Sequence, residues 1–475
     1  MLKAKKSFIV TLFVALVLVS FGIASAASIG GLSSISGPAP VSDSYVNPDG
    51  LGDVLLFNYY NARSGMETFF AIVNTDSEQG TRVRVRFREA ADIANSQCVD
   101  STTGKGATAG SFEVLDFDVC LTAGDMWSGF VTAAPGGGAM LCSNDVDTLI
   151  YDGVNSGLFP AGCVPFKSGT FGSATLTADD TMEGYFEVIG EDSLNAEFTT
   201  CKPIANFQCT GAGTPDACCT AAGLGTCPDQ FTDVGNELFG NAILIDASTS
   251  GSWSYDATAI ADFAFESIQQ SPTTSRPDLA SDSEDGIDGI NYILTKEHVF
   301  TIYDLIHART EIVLTEPTKL LTQQNVGCSL EIPGTFNPNI FTDDSALFTV
   351  WNDSEKQLTT VCQFSPCPGG TVNKLPHEVN VLQMNIPTAG VVSDILDSAV
   401  DQVVAITFDF GWIDINLDPD VNLTFPHQTC FGDDNVAPFN CSNGWPVLGI
   451  TLLDVDHGAS TGAFPTQYFT DAFLD

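Results

Sequence analysis

The sequence predicts an all-β protein made of two immunoglobulin-like β-sandwich blocks, with a Cys-rich insertion and a few short helices; the alternative is one large mixed β-domain. Three observations predict this fold class. Short runs of alternating apolar and polar residues recur along the chain, separated by turn residues. A similar strand pattern comes late in each half, at residues 184–189 and 411–416. The chain has 475 residues, 44% of them hydrophobic, which is enough to bury two cores.

The first element, residues 1–26, has the three parts of a secretory signal peptide. Lysines form its positive end, residues 8–23 are an apolar run, and residues 24–26 (Ala-Ser-Ala) are a small-residue cleavage site. We expect a mature chain that starts near Ala27 and is secreted or held at the cell surface. No membrane span is expected after cleavage.

Residues 27–50 are rich in Gly, Ser and Pro and predict a flexible N-terminal arm. Residues 51–191 predict the first sandwich. The strands expected in it are 54–60, 68–73, 82–88, 114–119 and 185–189.

Residues 192–236 interrupt the strand pattern and predict a Cys-rich linker or insertion. Residues 237–475 predict the second sandwich, with short helices at 256–263 and 285–296. The strands expected in it are 311–315, 347–351, 378–384, 403–417 and 446–453.

The 14 cysteines are an even number, which in an exported chain indicates disulfides. Their spacing favours three local pairs: Cys98 with Cys120, Cys142 with Cys163, and Cys430 with Cys441. The pairing of the others stays open: Cys201, Cys209, Cys218, Cys219, Cys227, Cys328, Cys362 and Cys367. A zinc site in the 201–227 cluster is not favoured, because no paired CxxC and no nearby His accompany it.

Seven segments carry a family resemblance: 54–61 (VLLFNYYN), 70–75 (FAIVNT), 84–89 (RVRFRE), 113–117 (EVLDF), 310–319 (TEIVLTEPTK), 376–381 (PHEVNV) and 444–449 (GWPVLG). The chain resembles an uncharacterised family of secreted, all-β bacterial surface proteins, mostly proteobacterial. The resemblance implies an exported surface protein and supplies no catalytic residues. Residues 201–227 depart from the family pattern.

The charge balance restricts the partners. There are 17 Lys and Arg against 59 Asp and Glu, a net charge of −42. Nucleic acid and anionic membrane surfaces need a cationic footprint, so both are excluded. The chain has no phosphate-binding glycine loop, no dinucleotide motif and no CxxCH, so neither nucleotide nor c-type haem is expected.

Four arginines alternate along the strand predicted at 82–88: Arg82, Arg84, Arg86 and Arg88. They share one face of the strand. One interpretation is a surface that binds an acidic partner. The favoured alternative is a cross-strand ion ladder with Asp116 and Asp118, made of exposed pairs worth ~0.2–1 kcal/mol each.

Two acidic stretches are candidate calcium sites, because this cation prefers carboxylate oxygens. The candidate ligands are Asp414, Asn416, Asp418 and Asp420 in one stretch, and Asp282, Asp285 and Asp288 in the other. Neither stretch has EF-hand spacing. The alternative for the first is a strand whose outer face is polar, with Ile413, Ile415 and Leu417 facing the core. The alternative for the second is a solvated loop.

Catalytic motifs are absent, and the tryptophans are scattered one per segment: Trp127, Trp253, Trp351, Trp412 and Trp445. The sequence therefore favours an exported structural or adhesive surface protein that associates with itself or with other surface proteins. In a filament or matrix, its arm would add a strand to an open sheet edge of a neighbouring subunit. The alternative is an extracellular carbohydrate-binding module or a secreted hydrolase, which leaves enzymatic activity open.

Overall fold

The computed structural model describes residues 35–36, 44–90, 111–145, 148–151, 156–158, 162–171, 174–194, 231–232, 235–263, 279, 293–317, 345–357, 371–375, 377–386, 390, 393–417, 428–431, 440–443 and 445–455. The predicted signal peptide and the cysteines of residues 201–227 lie outside these ranges.

The described elements are almost entirely strands, which confirms the all-β prediction. Their bounds are β1 Ile35–Ser36, β2 Tyr45–Val46, β3 Val54–Asn61, β4 Met66–Asn74, β5 Gly80–Glu89, β6 Glu113–Leu121, β7 Met126–Ala133, β8 Ala139–Ser143, β9 Leu149–Tyr151, β10 Ser156–Leu158, β11 Gly162–Pro165, β12 Gly169–Phe171, β13 Ala174–Leu176, β14 Glu183–Leu194, β15 Phe231–Thr232, β16 Leu238–Asp246, β17 Gly251–Asp256, β18 Thr258–Ala261, β19 Thr295–Lys296, β20 His298–Asp304, β21 Ala308–Thr315, β22 Ser345–Asn352, β23 Thr371–Lys374, β24 Val379–Asn385, β25 Asp401–Ala405, β26 Phe410–Asn416, β27 Gln428–Phe431, β28 Asn440–Asn443, β29 Trp445–Pro446 and β30 Leu448–Val455. A 3-10 turn, Asp179–Met182, precedes β14.

The first sandwich packs a nine-stranded sheet against a six-stranded one. The larger sheet has the order β10-β9-β6-β5-β14-β3-β18-β2, with β15 beside β14, and the smaller has the order β11-β8-β7-β4-β16-β17. Aromatic side chains fill the core between them. Phe57 stacks on Phe186 with ring centroids 4.1 Å apart, and Phe70 lies edge-on to Trp127 at 5.5 Å. These large buried rings contribute much of the apolar area that holds the two sheets together.

The second sandwich packs two four-stranded sheets, with the orders β20-β26-β22-β23 and β25-β24-β21-β30. All of these pairings are antiparallel except that of β24 with β25. Strand β26 alternates strictly: Ile413 and Ile415 are buried, whereas Phe410 and Trp412 are exposed. Its inner residues pack against Phe348 of β22 within the second core.

The two sandwiches share apolar contacts through β21. Ile312 and Leu314 point into the second core, whereas Val313 between them belongs to the core of the first. Hydrogen bonds cross at the same place, since the Thr315 hydroxyl donates to the Asn58 carbonyl oxygen at 2.5 Å. Successive side chains of β21 therefore pack into different cores, and this strand connects the two sandwiches.

Two local predictions differ from the structure. The helix expected at 256–263 is wrong, because β18 occupies residues 258–261 and pairs with both β3 and β2. These tertiary pairings override the helical preference of an Ala-rich segment. Of the helix expected at 285–296, residues 293–294 are helical and 295–296 form β19, while 285–292 lie outside the described residues.

The first sandwich also extends further along the chain than expected. Strand β16 pairs with β4 along its whole length, so the strands that follow the Cys-rich stretch complete the first block rather than opening the second. The single strand expected at 403–417 is divided into β25 and β26.

The described part of the N-terminal arm is docked on its own chain. β1 pairs with β28, and β2 pairs with β18 at the end of the nine-stranded sheet. Among the described residues, no helix has the length and apolar character needed to cross a membrane.

Candidate functional site

The outer face of the sheet β20-β26-β22 carries neighbouring aromatic rings. Trp351 of β22 lies directly opposite Trp412 of β26 in the strand register. Their ring centroids are 5.4 Å apart and their planes differ by 6°. Trp412 is 38% exposed. Two nearly parallel indole rings therefore stack against each other on a face that meets solvent.

Further rings extend this row along β20. Phe300 lies 6.3 Å from Trp412, and His298 stacks on Phe300 with centroids 5.8 Å apart and planes within 3°. Phe410, 41% exposed, follows at the other end of β26. We call this set the aromatic face: His298, Phe300, Trp351, Phe410 and Trp412.

Polar groups lie between the rings. The Asp414 carboxylate is 2.9 Å from Nδ1 of His298, and Thr349 is the cross-strand neighbour of Asp414. Both members of the His298–Asp414 pair remain partly exposed. The face therefore combines flat apolar rings with groups that form hydrogen bonds.

A phenol fixes the backbone beneath one of the two indoles. The buried Tyr303 hydroxyl donates to the Trp351 carbonyl oxygen at 3.1 Å. Burial first, and then the carboxylates of Asp409 and Asp353, raise the pKa of Tyr303 well above its ordinary value. The phenol thus stays protonated and keeps donating at any physiological pH.

A cavity of about 440 Å³ opens at the end of the aromatic face. Its lining residues are Asp304, Ile306, His307, Asn352, Asp353, Thr407, Phe408, Asp409 and Phe410. The Asp304 carboxylate is already engaged, because it accepts hydrogen bonds from the backbone N–H groups of Ile306 and His307, both at 2.9 Å. Asp304 therefore shapes the loop that forms one wall.

The calcium candidates fall on this face or outside the described residues. Asp414 and Asn416 alternate with buried Ile413 and Ile415, as the strand alternative for this stretch expects. Asp418, Asp420, Asp282, Asp285 and Asp288 lie outside the described residues. In the ranges that are described, no group of three or more His, Cys, Asp or Glu is placed to hold a metal. Calcium binding stays a prediction.

The arginine stripe forms a buried ladder of ion pairs. Arg82 pairs with Glu191 at 2.6 Å, Arg84 with Asp118 at 3.0 Å and Arg86 with Glu113 at 2.9 Å; Arg86 and Arg88 both reach Glu187, at 3.1 Å. Asp116 also reaches Arg84, at 3.7 Å. The predicted ladder is thus present, but its expected exposure is wrong: Arg84 and Arg86 are 0% exposed. Enclosed in this way, these guanidinium groups do not form an open surface for a partner.

Sequence reasoning missed the acids of β14. Glu187 and Glu191 are the two charged residues of the otherwise uncharged stretch 185–191, which was the available signal. Burial, followed by the charge of Glu191, raises the pKa of Asp118. The carboxylates of this ladder therefore interact with one another as well as with the arginines.

The disulfide between Cys142 and Cys163 is confirmed, and the two residues are direct neighbours across β8 and β11. Cys430 and Cys441 lie opposite each other in the register of β27 and β28, as their predicted pairing requires. Cys120 is also disulfide-bonded, but Cys98 lies outside the described residues, so that pairing stays a prediction.

The structure separates the tryptophans into two groups. Trp127, Trp253 and Trp445 are buried, as expected of core residues. Trp351 and Trp412 meet on the outer face, and the alternation of residues 411–414 was the signal that placed Trp412 outward.

Comparisons with models of protein families, with curated proteins and with solved structures found no match. A function is therefore inferred from the aromatic face and its surroundings.

Proposed function

We propose that this chain is an exported adhesive surface protein that binds extracellular polysaccharide through the aromatic face of its second sandwich. The observation that carries the proposal is the pair Trp351 and Trp412, stacked and nearly parallel on one exposed sheet face. Pyranose rings present flat patches of C–H groups that pack on aromatic rings. The partly exposed rings of Trp412 and Phe410, with Phe300 beside Trp412, therefore offer apolar surface to the sugars of a chain.

The polar groups of the face support this ligand class. Sugar hydroxyls need hydrogen-bond partners, and the Asp414 carboxylate, the Thr349 hydroxyl and the His298 ring lie between or beside the rings. A purely apolar ligand would desolvate these polar groups and form no hydrogen bond to them, which costs free energy. Export, which the proposal requires, rests on the signal peptide predicted at residues 1–26.

A structural role through the N-terminal arm is a second candidate. It is favoured by β2, a strand of only two residues that docks at the edge of the nine-stranded sheet. A short contact of this kind can be exchanged between subunits without changing the strand pairing itself. The two roles are compatible, because the arm and the aromatic face involve different sheets.

Binding to insoluble and soluble glycans tests the proposal. The purified chain is mixed with microcrystalline cellulose and with chitin, and is run through gels containing soluble β-glucans. We expect retention by at least one glycan, weakened about tenfold by Trp412→Ala and by Trp351→Ala, which corresponds to ~1.4 kcal/mol per ring. Val403→Ala is the matched control, since it shortens an exposed apolar side chain on β25, in the other sheet of the same sandwich. Equal retention of the tryptophan variants and the unmodified chain would refute the proposal.

A further inference from the structure

The outer face of the six-stranded sheet, in the first sandwich, carries an apolar surface that is separate from the aromatic face. Ile243, Phe69 and Phe130 are cross-strand neighbours on β16, β4 and β7. The rings of Phe69 and Phe130 stack with centroids 5.0 Å apart. Phe69 is 38% exposed and Met126, also on β7, is 52% exposed. A row of apolar side chains thus crosses the middle of this face.

A second row lies parallel to the first. The register places Phe239, Val73 and Met126 opposite one another on the same three strands. The strand alternation sends their neighbours Leu238, Ile72 and Trp127 into the core. We call these two rows, with the outward positions around them, the neutral face.

The neutral face has little charge for so acidic a chain. Among the outward positions of β4, β7, β16 and β17, only Glu67 and Asp256 are charged. The Glu67 carboxylate accepts a hydrogen bond from the Thr132 hydroxyl at 3.0 Å, also on this face. The whole chain has a net charge of −42. The carboxylates are therefore concentrated elsewhere.

We propose that the neutral face binds a second copy of this chain, sheet against sheet, about a twofold axis. Two copies that carry the same large negative charge repel each other wherever carboxylates meet. The neutral face is a surface on which they can approach while burying apolar side chains. Twofold symmetry lets one self-complementary patch serve both copies.

The size of the neutral face is compatible with binding a second copy of the chain. The four strands β7, β4, β16 and β17 at ~4.8 Å spacing span about 19 Å, and the first three, of eight or nine residues, are about 28 Å long. The footprint is roughly 500 Å², of the same order as the ~800 Å² per partner of a standard interface. The aromatic face of the second sandwich is not part of this contact, so the two proposals stand or fall separately.

Sedimentation of the purified chain from Ala27, across a range of concentrations, tests the proposal. We expect a monomer–dimer equilibrium that tightens when salt rises from about 10 mM to about 150 mM, since screening weakens the repulsion. Phe69→Glu and Met126→Glu should each weaken dimerisation roughly 100-fold, because symmetry places the new carboxylate in the interface twice. Val403→Glu is the matched control: Val403 is 53% exposed, but lies on β25.

Both glutamate substitutions replace exposed side chains, and a thermal melt checks that each variant folds. A dimer that is lost in Phe69→Glu and Met126→Glu but kept in Val403→Glu supports the proposal. A chain that stays monomeric at every concentration and salt overturns it. A dimer that neither substitution weakens, or that Val403→Glu weakens equally, also overturns it by placing the contact on another surface.

Discussion

A buried carboxylate of the first sandwich holds a loop of the second, and replacing it should loosen the connection between them. Glu183 is almost fully buried and accepts four hydrogen bonds. Two come from its own block: Arg63 Nε at 2.7 Å and the Tyr59 hydroxyl at 2.8 Å. Two come from the other: the Ser398 hydroxyl at 2.6 Å and the Ala399 backbone N–H at 2.8 Å. The test is Glu183→Gln, which keeps the shape and removes the charge.

The magnitude follows from these four bonds. A hydrogen bond to a charged group contributes about 1 kcal/mol more than a neutral one, so losing the charge costs up to ~4 kcal/mol. The hydroxyls of Tyr59 and Ser398 can rotate to accept from the new amide, which returns part of that cost. We therefore expect Glu183→Gln to lower the free energy of unfolding by about 3 kcal/mol.

Urea unfolding followed by tryptophan fluorescence measures this loss. We also expect the transition to broaden or split, because the 398–399 contact joins the two sandwiches. Asp179→Asn is the control: Asp179 also pairs with Arg63, at 3.0 Å, but its side chain is 72% exposed. The control should lose less than ~1 kcal/mol, as exposed ion pairs do. A loss below 1 kcal/mol in Glu183→Gln would show that the carboxylate does not link the blocks.

Four further predictions follow from the same physics. Burial raises the pKa of Glu311 to about 8 in the folded chain, whereas in the unfolded chain its pKa is near 4.5. Between these two pH values the folded chain holds a proton that the unfolded chain has lost. Stability should therefore fall by ~1.4 kcal/mol per pH unit between about pH 4.5 and 8, and Glu311→Gln should flatten that slope in melts across pH. Arg84→Ala should cost ~3–5 kcal/mol in urea unfolding, because it leaves buried Asp118 without its guanidinium; a cost under 1 kcal/mol would contradict the ladder. Removing the disulfide with Cys142→Ala and Cys163→Ala should cost about 3 kcal/mol for a separation of 21 residues, and an unchanged melting temperature would show that the bond adds no stability. If strand exchange by the arm or calcium bridging drives assembly, deleting residues 27–50 or adding chelator should shift the sedimenting species to smaller size; unchanged profiles would remove these roles.

The local sequence pattern was sufficient to predict which side chains of a single strand face the core and which face away from it. The alternation of β5 placed valines and Phe87 on one side and the arginines on the other, and the structure agrees. The Cys142–Cys163 disulfide was also predictable, since the two residues are close in sequence. The failure at residues 256–263 has the opposite cause: Ala-rich sequence favours a helix locally, whereas β3 and β2 on either side impose a strand.

The candidate site needed information that no single segment contains. Trp351 and Trp412 are far apart in sequence, and only the pairing of β22 with β26 makes them neighbours. The same holds for the burial of the arginines, because the acids that neutralise them come from both β6 and β14. An expectation of exposed pairs was reasonable for one isolated strand and failed once strands flanked it on both sides.

The amino-acid sequence by itself determined the all-β class, most of the strands, a local disulfide and the acidic charge that limits the partners. These properties depend on composition and on the two-residue period of a strand, both of which can be read along the chain. Only the tertiary structure decided which strands share a sheet, which charges are buried and which aromatic rings meet on a surface. Those properties depend on contacts between residues distant in sequence, and such contacts exist only after the sheets have packed.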